Sequence, residues 1–133
     1  MRGFIPHSNE DGRVQPWTYL PAAAIKPCIG MALALSAGKL TVAAGTVMPT
    51  HISMAEAADT LTAGDVIPVI AVQPDQVFET TCSAALTGVE IGARVTLHAS
   101  NGCQVTGTTT GGVAELVAKD GDAAGSRVLV RFS

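Results

Sequence analysis

Aromatic side chains are scarce in this chain: one Trp, one Tyr and three Phe among 133 residues. The core has to be built from Val, Ile, Leu, Ala and Met, and a core rich in Ala buries little area per residue. A core this thin favours association, because a neighbouring subunit can cover what one copy leaves exposed. Charge is sparse too. Asp, Glu, Lys and Arg make up 14% of the chain, against roughly 25% in an ordinary soluble domain. The eight Lys and Arg are scattered from Arg2 to Arg131 and the net charge is −3. Without a basic stripe to neutralise phosphates, nucleic acid is not an expected partner. Apolar runs of about 18 residues are also missing. The stretch 22–35 comes closest and is broken by Lys26, Pro27 and Gly30, so no membrane partner is expected. Met1-Arg2-Gly3-Phe4-Ile5-Pro6 passes straight into polar residues and does not read as a secretory signal.

Motifs that carry chemistry are equally absent. The three cysteines, Cys28, Cys82 and Cys103, are odd in number and widely spaced, with no CxxC pair. They read as reduced, inert thiols rather than a disulfide framework or a zinc site. His7, His51 and His98 fall in no metal-ligand pattern. His98, at a strand end beside a turn, reads as an exposed or capping residue. Asp120-Gly121-Asp122 is expected to be turn chemistry, since the rest of a calcium loop is missing. Gly111-Gly112 is not followed by the GK[ST] of a phosphate loop. No catalytic, cofactor-binding or metal-binding residue is assigned, no cofactor is expected, and the chain reads as a structural or binding protein rather than an enzyme.

Two regions differ in texture. Residues 1–27 hold Phe4, Trp17 and Tyr19, together with Pro6, Pro16, Pro21 and Pro27. Proline at this density blocks a helix and favours an extended path. This segment is read as an extended N-terminal arm. Phe4, Trp17, Tyr19 and Leu20 are its candidate interface residues, seeking burial on another chain or back on their own domain. If the arm only anchors, removing residues 1–20 leaves the remaining domain folded.

Residues 28–133 are read as a β domain, a barrel or a sandwich, because glycines punctuate short runs of Val, Thr, Ile and Leu every 8–12 residues or so. Strands are expected at 31–35 and 39–43 around Ser36-Ala37-Gly38, and at 94–98 and 103–106 around Asn101-Gly102, the strongest short hairpin signal. Further strands are expected at 50–55, 65–72, 77–80, 112–119 and 127–132. Pro68 inside its run points to an edge strand or a bulge. In 127–132, Val128, Val130 and Phe132 alternate with Arg127, Leu129 and Arg131, and the first set is expected to face the core. The fold class is therefore all-β, a small barrel or sandwich with an extended N-terminal arm.

The ordered string Pro16-Trp17-Thr18-Tyr19-Leu20-Pro21-Ala22, Ile29-Gly30-Met31-Ala32-Leu33, Pro49-Thr50-His51-Ile52-Ser53-Met54, Gly64-Asp65-Val66-Ile67-Pro68-Val69, Gly92-Ala93-Arg94-Val95-Thr96-Leu97 and Val128-Leu129-Val130-Arg131-Phe132 resembles the capsid decoration, or cement, proteins of tailed bacteriophages. The likeness runs from about Pro16 to Phe132 and rests on loose glycine–strand patterns. It implies that residues 28–133 form a small β-barrel or β-tulip-like domain behind the arm, in a virion protein made in the bacterial host cytoplasm. Such a protein sits as a homotrimer on the capsid surface, with the major capsid protein as its partner, and stabilises the shell without enzymatic activity. The resemblance carries over no site residues. Other readings are a minor head, tail or fibre β-domain, and a glycan-binding module, although glycan sites usually present aromatic platforms.

Overall fold

The computed structural model describes residues 2–9 and 15–133. Among them there is no helix; ten strands form two antiparallel sheets. The strands are β1 (Ile5–Ser8), β2 (Thr18–Pro21), β3 (Ala32–Ser36), β4 (Lys39–Val42), β5 (His51–Ser53), β6 (Val66–Ala71), β7 (Val77–Thr81), β8 (Arg94–Val95), β9 (Ala114–Lys119) and β10 (Arg127–Phe132). The first sheet runs β1-β7-β10-β9-β8 and the second β2-β6-β5-β3-β4. The sheets are not closed into the expected single barrel. In the second, Ala22, just after edge strand β2, and Leu40, within the opposite edge strand β4, meet at one isolated parallel bridge.

The buried apolar residues divide into two clusters. One cluster draws on both sheets and includes Ala32, Ile52, Ile70, Phe78, Leu116 and Val130. The other holds Ala22, Met31, Leu33, Leu40, Ile67, Val69 and Cys103. Neighbours in the chain fall into opposite clusters: Ala32 and Leu33, Val69 and Ile70. The second sheet thus carries buried residues on both faces, which explains why β6 reads as an almost continuous apolar run. The first sheet alternates instead. Val128, Val130 and Phe132 are buried as their period of two requires, while the other face carries charges: Arg127 meets Asp120 at 3.0 Å and Glu79 at 3.7 Å.

The turns follow the glycines. Ser36 pairs with Lys39 around Ala37 (φ 50°) and Gly38 (φ 80°), the left-handed pair that a tight hairpin demands. The Asn101-Gly102 return also forms, but it is held outside regular strands: Leu97 bridges Val105, and the His98 N–H donates to the Gln104 carbonyl at 2.9 Å. Only Arg94–Val95 of that expected first strand is regular. The strand expected at 50–55 shrinks to β5 (His51–Ser53).

Pro68 requires a correction. Its strand β6 is interior, flanked by β5 and β2. Proline is tolerated there because β5 stops at Ser53; the last bond on that side is the Met54 N–H to the Pro68 carbonyl at 2.9 Å. The donor that Pro68 lacks falls where no ladder continues. On the other flank Pro68 faces Tyr19 of β2, so it is the N-terminal segment that turns β6 into an interior strand.

That segment pairs with the chain's own sheets. β1 is an edge of the first sheet, opposite β7, and β2 an edge of the second. Phe4, just before β1, is fully buried. Its ring lies 5.0 Å from Phe132 in an edge-to-face arrangement, and Phe78 is 5.4 Å from Phe132 on centroids. All three phenylalanines of the chain therefore meet in one core. Burying one such ring stabilises the fold by roughly 1.5–3 kcal/mol, and each ring pair adds about 0.5–1.5 kcal/mol.

Candidate functional site

The register of β2 on β6 creates an apolar exposed strip. Tyr19 opposes Pro68 and Pro21 opposes Val66. Directly opposed residues share a face of a sheet, so these four side chains lie together. Tyr19 is 64% exposed, Val66 59% and nearby Trp17 56%. Proline at both Pro21 and Pro68 keeps the strip stiff. A strip of aromatic and aliphatic side chains depleted of charge has the composition of the centre of a protein interface, and apolar side chains left together in water mark a contact surface.

The four arm residues therefore divide. Trp17 and Tyr19 point to solvent, whereas Phe4 is in the core and Leu20 packs against the second cluster. Sequence reasoning missed Val66 and Pro68 as companions of Tyr19, because their adjacency depends on a register between strands 45 residues or more apart. Phe4 could have been placed by its neighbour Gly3, a small residue where backbones approach closely.

A second feature is a cleft of about 890 Å³ lined by Ile25, Cys28, Met31, Val42, Glu56 and Cys103, among others. Cys28 is half-buried and Cys103 buried. Their Sγ atoms lie 3.0 Å apart. Burial, with Cys28 beside it, pushes the Cys103 thiol well above its ordinary range. The third thiol, Cys82, is fully buried and donates to the Ala123 carbonyl at 3.3 Å.

The histidines and the Asp-Gly-Asp turn are used locally. His98 Nδ1 accepts from the Ser100 and Asn101 N–H groups, both at 3.2 Å, and so caps its turn. His51 Nδ1 lies 2.8 Å from Thr50 Oγ1, and burial holds its imidazole below the usual value. His7 contacts Ser8 at 3.2 Å. In the Asp-Gly-Asp turn, Asp120 accepts from Arg127 and Asp122 from Lys119. Among the described residues no group of three or more His, Cys, Asp or Glu side chains is arranged to hold a metal ion, and no helix is long and apolar enough to cross a membrane.

No protein-family model matches the chain, and no curated protein matches it significantly.

Proposed function

We propose that this chain is a capsid decoration protein, a homotrimer that binds the major capsid protein on the outer surface of a tailed-phage head and stiffens the shell. The observation that carries the reading is the exposed pair Trp17 and Tyr19 on the edge of an all-β, charge-poor fold. It joins the glycine–strand string that resembles cement proteins. The β2 strip offers apolar contact area on an edge strand of the sheet. Many copies on a lattice gain avidity, so one strip per copy can be modest and still hold. In this reading the second sheet, with its edges touching at Ala22 and Leu40, is the tulip-like part of the domain.

The test is sedimentation of the purified protein with mature and with immature heads of the phage that encodes it. Binding to either supports the reading, and Trp17→Ala with Tyr19→Ala should weaken it at least tenfold. Failure to pellet with both sinks it. One observation favours a second reading: an exposed Trp and Tyr close together also suit stacking on sugar rings. Retention on immobilised host glycans, lost in the same double variant, would select that reading.

A further inference from the structure

Two cysteines 75 positions apart in the chain are held with their sulfurs 3.0 Å from one another, about one ångström beyond the bonded separation of roughly 2.05 Å. The backbone on both sides is fixed. The Cys103 N–H donates to Asn101 Oδ1 at 2.7 Å, and the Cys103 carbonyl accepts from the buried Thr80 hydroxyl at 2.6 Å. On the other side, the Met31 N–H closes a turn onto the Cys28 carbonyl at 3.1 Å. The two segments are joined directly where the Ala32 N–H meets the Gly102 carbonyl at 2.8 Å. Neither cysteine has to search for the other, so the ordering entropy of the bond is largely met by the fold.

We propose that Cys28 and Cys103 are an oxidisable dithiol that closes into an intrachain disulfide on meeting a low-molecular-weight disulfide, of which oxidised glutathione is the probe. This inference does not rest on the capsid reading. The cleft beside the pair, about 890 Å³, is of the size that takes small molecules. Cys28 is the half-buried partner and Cys103 the buried one, so the order of events follows from access. The Cys28 thiolate attacks one sulfur of oxidised glutathione; a mixed disulfide forms and one glutathione thiolate leaves. Cys103 then gives up its proton to that thiolate as its sulfur attacks Cys28 Sγ. The Cys28–Cys103 bond forms and the second glutathione leaves as a thiolate. Two protein thiols are oxidised and one disulfide is reduced to two thiols, with no other electron carrier needed. The closed bond would staple the β2–β3 connection to the turn before residue 103, across the second apolar cluster, which holds Cys103 and against which Cys28 packs.

The experiment treats the whole protein anaerobically with oxidised glutathione, quenches with acid, counts free thiols in denaturant and maps tryptic fragments. Lys39 and Arg94 place the three cysteines in separate fragments. The expected result is a fall from three free thiols to one, with the Cys28 and Cys103 fragments linked. The Tm should rise by roughly 10 °C and return on reduction. Cys82→Ser should behave in the same way, and Cys28→Ser, checked for folding by its circular dichroism, should show neither link nor shift. Retention of all three thiols, a stable glutathione adduct on Cys28 without closure, or a link that involves Cys82 overturns the proposal.

Discussion

Gly3 and Gly30 touch backbone to backbone: the Gly3 N–H donates to the Ile29 carbonyl at 2.9 Å, and the Phe4 N–H to the Gly30 carbonyl at 2.6 Å. A Cβ on Gly30 would stand 2.8 Å from both the Gly3 carbonyl carbon and the Phe4 nitrogen, and Gly30 is left-handed at φ +88°. Gly30→Ala should therefore cost about 3 kcal/mol, from backbone strain and a clash that neither segment can relieve. Gly64→Ala is the control. It is also left-handed but has nothing within 4 Å, so about 1 kcal/mol is expected. Urea unfolding of the two variants checks the ordering.

Phe4 and Tyr19 separate the two roles of the N-terminal segment. Phe4→Ala empties a fully buried site against Phe132 and should cost about 3–5 kcal/mol. Tyr19→Ala and Trp17→Ala, at mostly exposed positions, should each change stability by less than about 0.5 kcal/mol, while, on the proposed function, weakening sedimentation with phage heads. The burial of Phe4 and the pairing of β2 on β6 also change what deletion of residues 1–20 should do. Its loss would strip an edge from both sheets and destabilise the fold, as a thermal melt of the truncated chain would show.

The hairpin at Ala37-Gly38 carries a correctable strain. Ala37 sits at φ 50°, where asparagine rests more easily. Ala37→Asn makes the Asn-Gly pair that this turn favours and should raise stability by about 0.5–1 kcal/mol. A higher urea midpoint at unchanged m-value is the expected signature.

His51 predicts a pH dependence. Burial holds its imidazole below the ordinary value of 6.5, so the unfolded chain binds the proton more readily than the folded one. The stability it contributes is fully present above about 6.5 and is lost as pH falls below that and through the folded value. Melting temperatures measured at about pH 7.5 and about pH 5 should fall further for the native protein than for His51→Gln.

Strand positions were legible because they depend on neighbours in the chain. The alternation of Val128, Val130 and Phe132 appears unchanged in the folded sheet, and Ser36-Ala37-Gly38 turns where its glycine allows. Pro68 misled, because a missing donor shows that one side of a strand is unpaired without showing where the neighbouring strand ends. The candidate strip was half legible. Trp17 and Tyr19 stood out as aromatics in a chain nearly without them, but Val66 and Pro68 joined them only through register.

The sequence by itself determined an all-β chain poor in aromatics and charge, with its turns at glycines and an extended N-terminal segment, since backbone preference and period-two patterning act over a few residues. Tertiary structure alone decided that there are two open sheets, that Phe4 belongs to the core, and that Cys28 and Cys103 meet. Those are contacts between distant residues, and they are set by how two apolar clusters pack rather than by any local spacing.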